Sequence, residues 1–243
     1  MHIKAKDTDS GRYYPWKDDK YVSVTTVIGE GIPKPGLNKW FVKRMAEVAA
    51  DNRKDLAKLT KIEAKDWLMD QRLSGGDDAA LLGTRIHSMC EKKVEGKEVR
   101  PPTETEKPFM DGFDAFLADH EPVYLLTEST VFSRIHGYAG TLDAVATIGG
   151  KTYVIDIKTG KRVWPEAALQ MAAYRYADFV GGARGREDSI PPCHGGLVLH
   201  LRPEGYEVLP VDTSESVFDT FLSALDIFRW NRIDSEGTIG KPW

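Results

Sequence analysis

Three stretches rich in β-branched and aromatic residues follow one another in the middle of the chain. They are VYLLTESTVFS (123–133), YAGTLDAVATI (138–148) and KTYVIDIK (151–158). The pair Gly149-Gly150 between the last two predicts a tight β-hairpin, because glycine tolerates the positive φ angles that such turns need. We therefore expect a sheet built around an antiparallel hairpin centred on these glycines.

Further regular elements lie on both sides of these strands. Apolar spacing and helix-terminal residues predict helices at about 37–50, 54–73, 83–96, 104–119, 164–180 and 214–230. Short apolar runs predict additional strands at 21–28, 195–201 and 206–211. This order favours an α/β core with an N-terminal helical region. We place the division at residues 1–80 and 81–243.

The composition is that of a soluble globular protein. Of the 243 residues, 41% are hydrophobic and 29% are charged. No apolar run approaches the roughly 20 residues of a membrane span. The N-terminus has no apolar segment typical of a secretory signal. We therefore expect a cytoplasmic protein, in a host cytoplasm if a phage encodes it, with no membrane partner.

The net charge and the cysteine content bear on two kinds of site. A formal charge of −4 argues against a broad basic surface for nucleic acid, although it leaves room for a local basic groove. Cys90 and Cys193 alone cannot supply a four-thiolate iron–sulfur cluster or a cysteine-rich zinc site. A disulfide between them is disfavoured in a reducing compartment, so we expect both thiols to be free.

The last strand of the three carries two opposite charges within an apolar run. Because side chains alternate between the faces of a strand, Asp156 and Lys158 share one face. Ile155 and Ile157, on the other face, are expected to anchor the strand in the core while the charged pair emerges toward a cleft. The alternative is an ion pair on a solvated sheet face, which would contribute roughly 0–1 kcal/mol.

The hairpin also brings a second acid to this position. A turn centred on Gly149-Gly150 places Asp143 near Asp156. Neighbouring carboxylates repel each other, so one must take up a proton or a cation must lie between them. A hard divalent cation suits such oxygen ligands, and Mg²⁺ typically uses one or two carboxylates together with waters and a substrate phosphate.

The hairpin sequence GTLDAVATIGGKTYVIDIKTGK (140–161), followed by ALQMAAYRYA (168–177), resembles the PD-(D/E)xK nuclease superfamily. It is most similar to the RecB-like branch, which includes the CRISPR-associated adaptation nucleases, phage recombination exonucleases and the mitochondrial genome maintenance exonuclease. The N-terminal segment 23–40 resembles a loop of the phage and mitochondrial members. Many adaptation nucleases carry a four-cysteine iron–sulfur cluster, which two cysteines cannot form, so the phage or mitochondrial type is the closer comparison.

The resemblance implies a role for each residue of the hairpin. Asp143 matches the first metal-binding acid, and Asp156 and Lys158 match the acid and the lysine of the D-x-K strand. The two acids would hold Mg²⁺ or Mn²⁺, as one or two ions, with the Ile157 carbonyl as a further ligand. The metal would activate a water, and Lys158 would orient that water or stabilise charge on the phosphoryl oxygens.

Four more residues are candidates outside these two strands. Gln170 and Tyr174 match the Q-x-x-x-Y motif of the branch and would contact DNA and brace Lys158; alternatively they form a helix packing face. His87 matches an additional histidine ahead of the core and would be a metal ligand that favours Mn²⁺; alternatively it is a hydrogen-bonded core histidine. Glu128 either completes the acidic cluster or is a plain exposed glutamate.

Basic residues near these motifs are candidates for nucleic-acid binding. One set, close to the hairpin and the following helix, comprises Lys161, Arg162 and Arg175. A second set, in the N-terminal region, comprises Lys34, Lys39, Lys43 and Arg44 together with the aromatic residues Trp40 and Phe41. Basic residues interleaved with aromatic ones suit single-stranded nucleic acid, although a charged helix face is more often only solvated.

Together these features predict a restriction-endonuclease-like α/β fold, a central mixed sheet flanked by helices. Residues 81–243 would form the nuclease core, and residues 1–80 would form a substrate wall or arch. We expect a metal-dependent deoxyribonuclease, an exonuclease on single-stranded DNA or duplex ends in recombination, repair or replication, with a recombination or replication protein as a further partner. The first alternative is a catalytically silent nucleic-acid-binding or assembly module on this fold. The second is an unrelated α/β domain whose charged strand lies in bulk water.

Overall fold

The structure, a computed structural model, describes residues 3–8, 11–74 and 77–240. The helices are α1 Val24–Gly31, α2 Pro35–Asp51, α3 Arg53–Leu56, α4 Lys61–Ser74, α5 Asp77–Val94, α6 Lys107–His120, α7 Glu166–Arg175 and α8 Glu215–Arg229. The strands are β1 Lys6–Thr8, β2 Gly11–Trp16, β3 Asp19–Ser23, β4 Val123–Ser133, β5 Tyr138–Ile148, β6 Lys151–Lys158, β7 Phe179–Gly181, β8 Glu187–Asp188, β9 Gly195–Arg202 and β10 Gly205–Val211. The predicted α/β fold is confirmed.

The chain divides into two compact units. The larger comprises Met1–Ile32 and Arg85–Trp243, and the smaller comprises Pro33–Thr84. In the smaller unit, α2 packs against α4. The structure differs here from the division after residue 80, because β1–β3 belong to the sheet of the larger unit instead of a separate N-terminal region. The role of substrate wall or arch stays a prediction.

The sheet of the larger unit is mixed and centred on β5. Strand β4 pairs antiparallel along one edge of β5. The other edge is shared, because β3 pairs parallel with its beginning and β6 pairs antiparallel with its end. Strand β9 continues the sheet parallel to β6, and β10 follows antiparallel to β9. The sheet therefore forks along the edge of β5, between the positions where β3 and β6 pair with it.

The predicted strand over 21–28 is wrong beyond Ser23, where helix α1 begins. Val24, Val27 and Ile28 are buried at helical spacing and pack into the main core. Their β-branched side chains favour a strand locally, but the burial of one helical face outweighs that preference. Helices α1, α7 and α8 cover this face of the sheet together.

The predicted helix over 164–180 is also too long. Helix α7 ends at Arg175, and Phe179–Gly181 forms β7 at the edge of β4. The Phe179 ring stacks on Phe132 with 5.2 Å between the ring centroids, and this contact fixes the segment on the sheet. Among the described helices, none has the length and apolar character needed to cross a membrane.

Candidate metal centre

The hairpin at the centre of the prediction is present in the expected register. Gly149 and Gly150 have φ angles of 55° and 78°, as a tight turn with two left-handed residues requires. The ladder runs from Ile148 opposite Lys151 to Ala144 opposite Ile155. The next residues in this register are Asp143 and Asp156. The ladder ends before them, but the two acids are close enough that the charge of Asp143 raises the pKa of Asp156.

The two strands separate immediately beyond that ladder. In the described part of the chain, no strand pairs with this edge of β5 between Ala139, opposite β3, and Ala144, opposite β6. The side chain of Asp143 lies in the gap, where its Oδ2 atom accepts a 2.7 Å hydrogen bond from the main-chain N–H of Ile157. The gap thus brings a carboxylate, instead of a main-chain carbonyl, to this part of β6.

Asp156 is buried, with only 3% of its surface exposed. The ammonium group of Lys158 donates a 2.8 Å hydrogen bond to its Oδ1 atom. Its Oδ2 atom is buried and has no hydrogen-bond partner among the described residues. The expectation that Asp156 emerges toward a cleft is therefore corrected, because β6 is covered on both faces. The alternative with both charges in bulk water is contradicted.

His87 and Glu128 complete a cluster with Asp143. One possible ligand atom from each residue lies within 4.8 Å of the other two. Helix α5 carries His87, whose Nδ1 atom is 3.4 Å from Asp143 Oδ2. Glu128 occupies the position of β4 opposite Asp143, and its φ of 38° is rare for a residue with a side chain. Such strained positions are frequent at functional sites.

A small cavity adjoins this cluster. It is lined by all three of its residues and by Cys90, Glu91 and Ile157. Cys90 is buried, and burial raises the pKa of its thiol. The cavity therefore offers carboxylate, imidazole and main-chain groups, whereas the thiol beside it stays protonated at neutral pH.

Burial and the charge of Asp143 both raise the pKa values of Asp156 and Glu128. Burial raises the pKa of Asp156 to about 6, although the charge of Lys158 opposes the shift and that of Asp143 adds to it. Burial, together with Asp143 and Glu91, raises the pKa of Glu128 to about 7. Both carboxylates therefore bind protons more tightly than usual. A divalent cation in their place would relieve the same repulsion.

The pKa values of His87 and Asp143 are decided by their contact with each other and not by burial. Burial lowers the pKa of His87, but its hydrogen bond to Asp143 and the charge of that acid outweigh burial, and the pKa is raised. Burial raises the pKa of Asp143, but His87, Lys158 and the Ile157 N–H together lower it below its usual value. His87 and Asp143 thus each favour the charged form of the other.

Gln170 and Tyr174 contact each other one turn apart on α7. The Gln170 amide donates a 3.0 Å hydrogen bond to the Tyr174 hydroxyl. The Tyr174 ring packs against β5 where Gly140 has no side chain, since a Cβ atom there would lie 2.5 Å from the ring. Burial raises the pKa of this phenol. The pair therefore packs against β5 at Gly140, next to the fork. Its contact with DNA stays a prediction.

The basic residues near the hairpin divide into two groups. Lys161 and Arg162 are exposed in the segment between β6 and α7. Arg175 is different, because its guanidinium donates to the Thr213 carbonyl and hydroxyl oxygens at 2.9 and 3.1 Å. These bonds give Arg175 a structural role, and its contact with nucleic acid stays a prediction.

The N-terminal basic set lies in the smaller unit. Lys39, Trp40 and Lys43 are all on α2, and 52% of the Trp40 surface is exposed. The Trp40 ring meets Phe41 edge to face, with 5.0 Å between centroids, and Lys43 lies 3.8 Å from Glu47. The helix therefore presents basic and aromatic groups to solvent, and nucleic-acid binding there stays a prediction.

One buried polar residue next to this centre is not among the sequence candidates. His200 lies on β9 opposite Lys158 of β6, with 3% of its surface exposed. Its Nε2 atom is 2.7 Å from the Gly160 carbonyl, and its Nδ1 atom is 3.3 Å from a Glu207 carboxylate oxygen. The sequence signal that could have identified His200 is its position as the one histidine within the apolar strand GGLVLHL.

Comparisons with known proteins add little to this geometry. No protein-family model and no curated protein matches the chain. The crystal structure of a protein named SSO0001 matches over 78% of this chain and 71% of that chain, at 14% sequence identity and a TM-score of 0.36. That likeness is too low to support any statement about fold or function.

Proposed function

We propose that the protein is a divalent-metal-dependent deoxyribonuclease. The observation that carries this proposal is the Oδ2 atom of Asp156, which is buried beside Lys158 and has no hydrogen-bond partner in the part of the chain that the structure describes. An ionised carboxylate oxygen left unpaired in a protein interior costs several kcal/mol or takes up a proton. A cation is the usual third solution, and carboxylate oxygens with one imidazole suit Mg²⁺ or, better, Mn²⁺.

The chain's own residues fit such a centre. His87, Glu128 and Asp143, which the structure brings together, would hold the metal. Asp156, which lies outside that cluster, would be a further ligand through its buried Oδ2 atom, as would the Ile157 carbonyl. When bound, the metal supplies Lewis-acid polarisation of a phosphoryl oxygen and a water of lowered pKa.

Lys158 supplies the positive charge that a phosphodiester substrate needs. Burial lowers the pKa of its ammonium group, but Asp156 and Asp143 outweigh burial and raise it. The group therefore stays charged at neutral pH. Under the proposal it would donate hydrogen bonds to a phosphoryl oxygen or to the attacking water, where charge develops during hydrolysis.

The resemblance to the RecB-like nucleases supports the choice of DNA as the substrate, because D-x-K, the preceding acid and Q-x-x-x-Y all lie around one fork in the sheet. The proposal includes exonuclease action on single strands or duplex ends, in the cytoplasm and in recombination, repair or replication. Under this proposal, the part of the fold that corresponds to a restriction endonuclease is the fork between β5 and β6. These adjacent strands carry the two acids and the lysine.

Cleavage assays on labelled DNA test this proposal. Single-stranded, duplex and circular DNA are incubated with Mg²⁺, Mn²⁺ or EDTA. We expect metal-dependent cleavage that falls at least about 100-fold in Asp156→Asn, whereas the control Asp226→Asn, on an exposed surface of α8, cleaves normally. Resistance of circular DNA would identify an exonuclease.

Two outcomes would contradict the mechanism. Cleavage that survives both EDTA and Asp156→Asn would show that the centre is not responsible. Metal binding without cleavage of any DNA or RNA would favour the catalytically silent binding module instead.

A further inference from the structure

The segment between β6 and α7 carries an exposed indole next to the candidate metal centre. Trp164 has 57% of its surface exposed. The guanidinium carbon of Arg162 lies 3.8 Å from the centroid of the Trp164 ring. A cation over the face of an exposed indole is attracted to it by about 0.5–1 kcal/mol, so this contact favours the observed ring orientation. Arg162 covers one face of the ring, and more than half of the residue's surface is exposed, so the indole has area left for a flat ligand.

The same segment is anchored to the strands that carry the centre. Lys158 is the last residue of β6, and two residues later the Gly160 carbonyl is held by the buried ring of His200 at 2.7 Å. Six residue steps separate Lys158 from Trp164, which limits the distance between them to about 20 Å. The indole therefore stays within reach of a strand whose phosphate lies at Lys158.

The charges of the segment indicate the kind of ligand. Lys161 and Arg162 are exposed, and neither forms an ion pair within the described residues. Two cations beside an exposed indole match a polyanion that carries flat rings. Single-stranded nucleic acid has this chemistry, because its bases are unpaired and can stack on an aromatic side chain while its phosphates contact the cations. A duplex keeps its bases stacked on each other.

We propose that Trp164, with Arg162 behind it, forms a stacking platform for one base of single-stranded DNA, and that Lys161 binds an adjacent phosphate. This inference rests on the proposed function and assigns it a substrate form, a single strand or a frayed end. Stacking on an aromatic side chain tolerates any base, so the platform would position DNA without reading its sequence. The His200–Gly160 contact would hold the platform ready before the strand arrives.

Binding in EDTA tests the platform separately from cleavage. A fluorescently labelled oligothymidylate is titrated with the full-length protein by anisotropy. We expect Trp164→Leu to bind about 5- to 150-fold more weakly and Trp164→Phe to retain most of the affinity. Trp230→Leu is the matched control, because 53% of Trp230 is exposed on another element; its affinity should equal that of the wild type.

Salt dependence and abasic oligonucleotides distinguish stacking from charge. Trp164→Leu should leave the slope of log affinity against log salt unchanged, whereas Lys161→Gln should reduce it by about 0.7. In a series of oligonucleotides with one abasic site at different positions, we expect one position at which the missing base weakens binding to the wild type but not to Trp164→Leu.

The proposal is overturned if the wild type binds no single strand, if Trp164→Leu binds as well as the wild type, or if both tryptophan variants lose affinity equally. Tight binding by Trp164→Leu together with metal-dependent cleavage by the wild type would remove the platform and leave the nuclease proposal intact. A protein that shows the expected binding pattern but cleaves nothing would contradict the nuclease proposal and leave the platform intact.

Discussion

The main-chain N–H of Ile157 donates its hydrogen bond to the side chain of Asp143, at 2.7 Å, instead of to a main-chain carbonyl of the neighbouring strand. The accepting Oδ2 atom also lies 3.4 Å from Nδ1 of His87. Asp143 therefore has a structural task at the fork of the sheet and, under the proposed function, a metal-binding task as well. Substitutions of this one residue can separate the two.

Asp143→Asn should keep the fold and lose the metal response. The amide oxygen can still accept from Ile157, but the negative charge is gone. In the wild type, Mn²⁺ at about 100 times its dissociation constant should stabilise the folded state by about 2.7 kcal/mol. Thermal unfolding with and without Mn²⁺ measures this difference, which Asp143→Asn should not show. Asp143→Ala should in addition lose about 1–3 kcal/mol without metal. An unchanged Mn²⁺ response in Asp143→Asn would contradict the assignment.

Glu128 should make the metal-free protein less stable as the pH rises. Its pKa is raised to about 7 in the folded state from an ordinary value of 4.5. The folded state binds this proton more tightly, so its contribution is present at low pH and is lost as the pH rises through 7. Glu128→Gln should therefore stabilise the protein in EDTA near pH 8 by about 1–3 kcal/mol. Urea unfolding at several pH values gives the comparison.

Mn²⁺ should reverse the order of stability of the wild type and Glu128→Gln. The wild type should gain more stability from the ion than Glu128→Gln, because the amide is a poorer ligand. Glu204→Gln, at an exposed glutamate, should behave as the wild type in both conditions. A Glu128→Gln protein that gains as much from Mn²⁺ as the wild type would remove Glu128 from the ligand set.

Local signals were sufficient to predict the hairpin and its acids. The turn residues Gly149 and Gly150 fix the register, and the register alone brings Asp143 near Asp156. The burial of Asp156 could not be predicted in this way. It depends on β9, which lies beside β6 but follows it by more than thirty residues in the sequence.

The wrong parts of the predicted strand over 21–28 and the predicted helix over 164–180 also result from contacts between residues far apart in the sequence. Val24, Val27 and Ile28 read as a strand by propensity, but they pack as one face of a helix against α8. Phe179 extends a helical pattern in the sequence, yet its stacking on Phe132 makes it part of a strand. In each case the local preference is weak, and a contact far away in the sequence decides the structure.

Close packing between α1 and α8 should make Gly31 intolerant of any side chain. A Cβ atom at Gly31 would lie 2.2 Å from the carbonyl oxygen of Ala224, a main-chain atom that cannot rotate away. Gly31→Ala should cost about 3 kcal/mol of unfolding free energy, at the upper end of the usual range for overpacking. Gly29, in the same helix, has open space around it, and Gly29→Ala should gain about 0.5–1 kcal/mol. Equal effects of the two substitutions in urea unfolding would refute the close contact.

Glu106 should stabilise the start of α6 in a pH-dependent way. It is 1% exposed and accepts hydrogen bonds from Arg100, Arg85 and the main-chain N–H of Thr103 at 2.7, 2.8 and 2.9 Å. The bond from Arg100 is the main cause that lowers the pKa of this carboxyl group, and Thr103 adds to it. Its contribution is therefore present above the ordinary value of 4.5 and is lost as the pH falls below it.

Glu106→Gln should accordingly lose about 1–3 kcal/mol near neutral pH, and the difference from the wild type should shrink as the solution is acidified below the ordinary glutamate pKa. Glu104→Gln, two residues earlier and exposed, is the matched control and should change little at any pH. Chemical unfolding of the three proteins across this range provides the measurement. If the deficit of Glu106→Gln were the same in acid as at neutral pH, its cause would be packing and not the charge of the buried carboxylate.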